Sequence, residues 1–243
     1  MPDTMCAEWT KLRSTASFWW TSALILLIPV ALAGVFAGFN TGNPLEFLPV
    51  SVVTLSAIPV LIIVTVQAAM TVTTDYRYGV PATTFRLTPV RWRVGVAKLV
   101  LYAVLAAVLV AVGLLLAFLL GDVVAGRGTG WTGNPTANRG LWALPLAAVL
   151  VTVFSQGLGW ITRNTAGAVV LVFAFQFVLD SIGGLLPGAG GRLARYLPFS
   201  NLYAFLYDNP VAGFTVGASL GIFILWAAGL WIAGLVVLER RDV

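Results

Sequence analysis

Long apolar stretches separated by short polar segments run through most of the chain. The hydrocarbon core of a bilayer, about 30 Å thick, is crossed by about 20 apolar residues in a helix. Six segments reach or approach that length: residues 18–39, 48–72, 96–120, 141–161, 165–182 and 214–238. The pattern predicts an all-α polytopic membrane protein with six transmembrane helices in one transmembrane domain, residues 1–243.

Two of these spans have alternative interpretations. Basic residues before the first span and an Ala-Leu-Ala sequence at 31–33 loosely resemble a signal peptide, although the apolar stretch is longer than a usual signal core. Pro59 in the second span is tolerable in a membrane helix, because neighbouring helices can satisfy the freed carbonyl. It could also divide that span into two re-entrant halves.

The composition agrees with a membrane protein. Hydrophobic residues make up 59% of the chain and charged residues 9%, whereas soluble domains carry about 25% charged residues. A soluble domain of this size needs a polar shell that this composition does not supply. We therefore expect the lipid bilayer to surround the chain, and we expect no nucleic-acid partner.

The charges predict the orientation of the spans. With six spans and an inner N-terminus, the inner segments hold ten basic and five acidic residues, a net charge of +5. The outer segments hold four of each kind, so the whole net charge of +5 lies on one side. Cytoplasmic loops carry an excess of Lys and Arg. This distribution predicts that both termini are cytoplasmic.

The chain lacks several residue types that catalysis uses. It has no histidine and one cysteine, Cys6, which excludes imidazole bases, His metal ligands and internal disulfides. Its two lysines, Lys11 and Lys98, do not follow a glycine, so no P-loop is present. We expect no catalytic residue, metal or cofactor in this chain, and any ATP-driven work has to come from another polypeptide.

The residues before the first span have an amphipathic pattern. Apolar residues recur at positions 5, 9, 12 and 16, with polar residues between them. This spacing predicts a short helix over residues 5–17 that lies in the inner interface, with its basic residues facing lipid headgroups. The residues that carry this prediction are Trp9, Lys11, Leu12 and Arg13. The alternative is a disordered terminus.

The loop of residues 73–98 is the most charged part of the chain. Pro81 suits the start of a short helix, and the Leu-Thr-Pro sequence at 87–89 indicates its end. Such a helix would expose Phe85 and Leu87 to the cytoplasm, which favours a docking element. The alternative is a basic loop that only holds the orientation of the spans.

The outer segment of residues 181–213 is long for a simple turn. Glycines and prolines interrupt its first part, and two short aromatic stretches follow, which we interpret as short re-entrant helices that dip into the outer leaflet. A membrane-hugging loop without function is the alternative. Candidate residues for a translocation path or outer gate are Gln67, Gln156, Gln176, Asp180, Phe199 and Tyr203. For the glutamines the alternative is helix packing, and for Asp180 it is a place at the interface.

Four stretches together resemble a known family. Residues 8–14 (EWTKLRS), the motif positions of residues 75–98, residues 163–168 (RNTAGA) and residues 238–243 (LERRDV) are similar, in this order, to actinobacterial permease subunits of ABC transporters. The similarity is to the type-2, export-type family. The chain departs from the family in having Asp75 where Glu is usual, and Val80-Pro81 where Thr-Ile is frequent.

The resemblance implies a permease subunit in a bacterial plasma membrane, without enzymatic activity of its own. Two permease subunits would pair as a homo- or heterodimer, and a separate pair of P-loop ATPases would carry ATP and Mg. The residues that the resemblance places at the ATPase-docking coupling helix are Asp75, Arg77, Tyr78, Gly79, Thr83, Thr84, Phe85, Arg86 and Leu87. The expected cargo is an amphipathic or hydrophobic drug, antibiotic or lipid. The alternative function is a non-transporting membrane scaffold or immunity subunit.

Overall fold

The computed structural model describes residues 2–39, 47–80, 90–126, 128–179 and 194–240, which are helical almost throughout and contain no strand. The helices are α1 (Pro2–Arg13), α2 (Ala16–Phe39), α3 (Phe47–Arg77), α4 (Arg91–Ala125), α5 (Pro135–Thr162), α6 (Thr165–Phe173), α7 (Pro198–Leu206) and α8 (Val216–Arg240). A 3₁₀ turn, Trp131–Gly133, precedes α5, and a π-helical turn, Ala174–Leu179, continues α6.

Among the described residues, five helices are long and apolar enough to cross a membrane. They are α2, α4, α5, α8 and the part of α3 that covers Pro49–Arg77. This confirms a multi-pass, all-α membrane architecture. The predicted fifth span, residues 165–182, is helical over Thr165–Leu179, which is shorter than the other five, and its last three residues lie outside the described residues.

Several helix boundaries differ from the predicted ones. The N-terminal helix ends at Arg13 instead of residue 17, and α2 begins at Ala16. Helix α3 continues to Arg77, and α4 begins at Arg91 and ends at Ala125, so both outrun the apolar stretches that defined the predicted spans. The segment between the predicted third and fourth spans, residues 121–140, is therefore partly helical. Backbone hydrogen bonding carries a helix past the point where its side chains stop being apolar.

Asparagine caps and a tight connection fix the start of α5 and the turn into α6. The side chain of Asn134 accepts hydrogen bonds from the N–H groups of Thr136 and Ala137, as an N-cap does. Helix α5 ends at Thr162, and the residue that follows it, Arg163, has a φ of 52° in the left-handed region. The side chain of Asn164 then caps α6 by accepting a hydrogen bond from Gly167 N–H. Two residues thus reverse the chain.

The N-terminal helix lies at one end of the bundle, which we name the α1 end. Hydrogen bonds there join α4 to the last residues of α8, from Arg91 to the carbonyl of Leu238, and α3 to α6, between Thr73 and Thr165. At the opposite end, the guanidinium of Arg139 donates to the carbonyl of Phe205 at 2.6 Å. The first long helix, α2, therefore begins at the same end of the bundle at which the last one, α8, ends.

Helix α5 lies at the centre of the packing. It contacts α3, α4, α7 and α8, and its contact with α8 is close because both helices have a glycine there. A Cβ added to Gly157 would lie 2.7 Å from the backbone of Leu230, and one added to Gly234 would lie 2.8 Å from the carbonyl oxygen of Gly157. Small residues at a helix crossing allow such an approach.

Candidate functional site

Four charged side chains meet at the α1 end, and we name them the ion cluster: Glu8, Lys11, Asp75 and Lys98. Lys98 Nζ lies 2.5 Å from Glu8 Oε2 and 2.9 Å from Asp75 Oδ2. Lys11 Nζ lies 2.8 Å from Glu8 Oε1 and 3.6 Å from Asp75 Oδ2. With two acids and two bases the cluster is neutral overall, and it joins α1 to both α3 and α4.

The centre of the ion cluster is buried. Glu8 and Lys98 are each 4% exposed. An ammonium group has three N–H donors, and Lys98 directs them to Glu8, to Asp75 and to the carbonyl of Thr71 at 2.9 Å. A buried charge without a partner is strongly destabilising. The buried charges of the cluster are therefore stabilised by their partners, and the docking of α1 supplies two of those partners, Glu8 and Lys11.

Polar side chains extend the cluster toward α5. The amide nitrogen of Gln156 donates to Thr71 Oγ1 at 2.9 Å and to the carbonyl of Lys98 at 3.3 Å. Gln156 is fully buried. Gln156 lies on α5, so its amide connects α5 to the same parts of α3 and α4 that the ion cluster joins.

A cavity of about 430 Å³ lies beside the ion cluster, between α1, the start of α2, α3 and α4. Gln67 lies in its wall with a 5% exposed side chain, and its Oε1 has no hydrogen-bond partner within the described residues. Apolar parts of the wall come from Leu12, Met70 and Leu101, and the exposed Arg77 also lines it. The cavity combines a buried amide, apolar walls and charged groups.

The expected coupling residues are only partly described. Asp75 belongs to the ion cluster, and Arg77, Tyr78 and Gly79 follow it at the end of α3. The Arg77 guanidinium lies 5.9 Å from the centre of the Tyr78 ring, and Gly79 has a φ of 67° that ends the helix. The other members of the set lie outside the described residues: Thr83, Thr84, Phe85, Arg86 and Leu87.

The expected interfacial residues are held against the bundle in different ways. The Trp9 ring packs edge-on against Phe18 at 6.0 Å, and the Trp19 indole donates to the carbonyl of Arg13 at 2.9 Å. Lys11 faces the ion cluster and Leu12 faces the cavity, whereas Arg13 is exposed. The polar face of α1 is thus directed at other helices at Glu8 and Lys11. The amphipathic pattern predicted that the basic residues of this helix, Lys11 among them, face lipid headgroups.

The candidate path residues form two groups. Gln67 and Gln156 lie beside the cavity and the ion cluster. Gln176, Phe199 and Tyr203 lie together where α6 meets α7, and the Gln176 amide nitrogen contacts the Tyr203 hydroxyl at 2.6 Å. Asp180 lies outside the described residues.

Phe199 is fully buried and contacts several other aromatic rings. Its ring centre lies 5.4 Å from that of Phe154 on α5 and 5.6 Å from that of Phe223 on α8. Phe175 on the π-helical turn packs against the same Phe154 at 5.5 Å. Helix α7 is therefore anchored in the bundle through a buried aromatic contact.

The opposite end has a polar contact that the sequence did not indicate. Besides its bond to Phe205, the Arg139 guanidinium lies 5.3 Å from the Trp142 ring and 3.4 Å from Asp208. The hydroxyl of Tyr207 donates to the carbonyl of Thr54 at 3.3 Å, and burial raises the pKa of this phenol above its ordinary value. These contacts attach the end of α7 to α3 and α5.

The central pair of the cluster, Glu8 and Lys98, was missed by the sequence-based predictions. Lys98 was counted with the inner loop, although it lies within the bounds of the predicted third span. A lysine inside an apolar span has to find an acidic partner or reach water, which is the signal that could have pointed to the cluster. The sequence does not say which acid provides the partner.

Two negative findings delimit the site. Within the described ranges, no group of three or more His, Cys, Asp or Glu side chains is placed to hold a metal ion. No family model, no curated protein and no solved structure matches this chain.

Proposed function

We propose that this chain is the membrane-spanning permease subunit of an ATP-driven ABC exporter. It would work with a pair of separate P-loop ATPase subunits and a second permease subunit in a bacterial plasma membrane. The proposal begins from the resemblance of residues 8–14, 75–98, 163–168 and 238–243 to that family. The ion cluster supplies the physical support.

The observation that carries the proposal is that the cluster joins the two helices which residues 81–89 connect in the chain. These residues include the expected coupling helix, and they connect α3 to α4. Asp75 in the last turn of α3 and Lys98 in the second turn of α4 are joined at 2.9 Å, and Glu8 attaches α1 to the same lysine. A displacement at residues 81–89 would therefore be shared by two spans and by α1.

The course of the chain supports a sixth crossing. Helix α6 begins at the α1 end, next to Thr73, whereas Phe205 at the end of α7 lies at the opposite end beside Arg139. The chain therefore changes ends between Thr165 and Phe205. The α-helical part, Thr165–Phe173, would rise about 14 Å of that distance, and the π-helical turn to Leu179 continues it. In the proposal this segment is the fifth of six spans, and α7 is a re-entrant outer helix.

The charges support a cytoplasmic α1 end. Lys11, Arg77, Arg91 and Arg163 all lie there, as does the C-terminal end of α8, where Arg240 lies. Positive residues are concentrated on the cytoplasmic side of membrane proteins. The proposal therefore places both termini in the cytoplasm.

Exposed apolar faces leave room for a second permease subunit. Only 17% of the apolar window of α8 and 28% of that of α2 is buried within the chain, against 61% for α5. Lipid or a second subunit would cover those faces. The cargo is an amphipathic or hydrophobic drug, antibiotic or lipid, and Gln67, Gln156, Gln176, Asp180, Phe199 and Tyr203 are the candidate path and gate residues.

Co-purification tests the proposal. The tagged chain would be isolated in mild detergent from its own cells, and the proteins that accompany it identified by mass spectrometry. We expect a P-loop ATPase, and we expect the double substitution Phe85→Ala and Arg86→Glu to lower its recovery at least tenfold. Arg240→Glu, which makes the same charge change at the α1 end, is the matched control and should retain the ATPase.

Two results would contradict the permease assignment. One is an intact chain that never isolates with an ATPase. The other is equal loss of the ATPase in the double variant and in the Arg240→Glu control. Stable recovery with other membrane proteins and no ATPase would favour the scaffold or immunity function instead.

A further inference from the structure

The start of α4 and the end of α8 cap each other. The Arg91 guanidinium donates to the carbonyl of Leu238 at 3.2 Å, and the Trp92 N–H donates to Glu239 Oε1 at 2.9 Å. The first N–H groups of a helix and its last carbonyls have no partner within the helix. A carboxylate at an N-terminus and a guanidinium at a C-terminus also have the signs that the helix dipole favours. Each helix therefore supplies a group that the other lacks.

Apolar packing continues this contact one turn further along both helices. Gly95 makes room for α8, since a Cβ there would lie 2.8 Å from Leu235 Cδ2 and 3.8 Å from Leu238 Cδ2. Leu238 is fully buried, in a small apolar cluster with Val72 of α3 and Trp160 of α5. The last turns of α8 are therefore packed against α3, α4 and α5 at the α1 end.

This contact lies where α8 can follow the movement of its neighbours. The helices α3 and α4 are the two that residues 81–89 connect in the chain, and the end of α8 contacts both. The ion cluster cannot supply this link, because none of its four residues lies on α8. Glu239 is the residue of α8 that holds the first turn of α4 by a charge-assisted hydrogen bond.

We propose that Glu239 is a positioning residue that makes α8 follow α4 when an ATPase displaces residues 81–89. This role rests on the proposed function, and it adds a second connection beside the ion cluster. The Glu239 carboxylate holds the Trp92 N–H, Arg91 holds the last turn of α8, and the close approach at Gly95 keeps the two helices in contact. A displacement of the first turn of α4 is thereby passed to α8, the last of the long helices.

The substitution Glu239→Ala in the purified assembly, in lipid vesicles, tests this role. We expect kcat for ATP hydrolysis to fall about three- to tenfold, as the loss of one partly exposed charge-assisted hydrogen bond does, with KM for ATP and recovery of the ATPase unchanged. Amide hydrogen exchange over residues 91–94 should become faster by a similar factor, because the Trp92 N–H loses its acceptor. Glu239→Gln keeps an oxygen that can accept this hydrogen bond and should recover part of both losses.

Asp3→Ala is the matched control, because it removes an exposed acid at the same end of the bundle and should change neither hydrolysis nor exchange. Faster exchange with unchanged hydrolysis would reduce Glu239 to a helix cap, and loss of the ATPase from the Glu239→Ala assembly would make it a docking residue. Either result would overturn the positioning role. Equal effects of the two alanine substitutions, unchanged exchange over residues 91–94, or no recovery in Glu239→Gln would overturn it as well.

These outcomes are separate from a failure of the permease proposal. In each of them the unaltered assembly still hydrolyses ATP, so that proposal stands while the role of Glu239 falls. An unaltered assembly without hydrolysis contradicts both.

Discussion

At the scale of single residues, Lys98 has the strongest constraint on its surroundings. It is buried, charged and bonded to three acceptors from two helices. Removing one partner of a buried ion pair leaves the other charge uncompensated, at a cost of about 3–5 kcal/mol. The half-exposed Lys11 lies in the same cluster but can be replaced by water.

We therefore expect Lys98→Met to lower the free energy of unfolding by about 3–5 kcal/mol, through the stranded carboxylates of Glu8 and Asp75. Lys11→Met, with a side chain 37% exposed, should lose less than about 1 kcal/mol. Thermal unfolding in detergent measures both. Equal effects of the two substitutions would contradict a buried cluster centred on Lys98.

The glycines of the α5–α8 crossing give a second prediction. A Cβ at Gly157 would meet the backbone of Leu230 and Trp231 at 2.7 Å, and backbone atoms cannot rotate away. We expect Gly157→Ala to destabilise the chain by about 1–3 kcal/mol, as overpacking does. Gly221→Ala, where a Cβ meets nothing within 4 Å, is the control and should leave the unfolding temperature unchanged or higher. A neutral Gly157→Ala would show that the two helices are farther apart.

The roles of some residues can be predicted from the sequence and those of others cannot, for physical reasons. The glycines and glutamines of the spans can be recognised as packing candidates, since small and polar residues in membrane helices have few other roles. The pairing of Glu8 with Lys98 cannot be predicted in the same way, because the two residues are far apart in the chain and no periodicity relates them. These charges are buried because α1 docks against α3 and α4. The amphipathic pattern instead predicted that the basic residues of α1 face lipid headgroups.

At the scale of elements, α1 is attached to the bundle mainly by its polar face. Glu8 and Lys11 make the ion pairs, and Trp9 adds one aromatic contact with Phe18. The helix is short, and isolated helices of this length are marginal in water. Its stability therefore depends on the ion cluster.

This dependence can be measured by amide hydrogen exchange. We expect Glu8→Gln to accelerate exchange over residues 2–13 about tenfold, because charge-assisted hydrogen bonds become weaker ones. Asp3→Asn alters an exposed acid of the same helix and should leave exchange unchanged. Equal protection in Glu8→Gln and in the unaltered chain would mean that the apolar contacts alone hold α1.

Hydropathy predicts five of the long helices well and their ends poorly. The apolar stretches contain most of α2, α3, α4, α5 and α8, because only a membrane or a buried core tolerates such runs. Helices α3 and α4 continue beyond them to Arg77 and back to Arg91, where charged residues end the hydropathy signal without ending the helix. Asp75 and Lys98 lie at or near those extensions, so the boundary errors and the missed cluster have one cause.

At the scale of the whole molecule, the fold predicts where the ends of the chain lie. The N-terminal helix and the end of α8 are at the α1 end, and Asn209 follows α7 at the opposite end. In a Cys6→Ser background, single cysteines at Asp3, Asn209 and Arg240 would be labelled on intact cells with an impermeant maleimide. We expect labelling of the cysteine at 209 alone. Labelling at only one of positions 3 and 240 would contradict an even number of crossings.

Our central claim is that this chain couples an ATPase to the membrane through residues 81–89, which connect α3 to α4, the two helices that the ion cluster joins. The most direct measurement is ATP hydrolysis by the purified assembly in lipid vesicles, with the unaltered chain and with the Phe85→Ala and Arg86→Glu double variant. We expect vanadate-sensitive hydrolysis that falls at least tenfold in the double variant and not in Arg240→Glu. An assembly without hydrolysis, or hydrolysis that the double variant leaves unchanged, would contradict it.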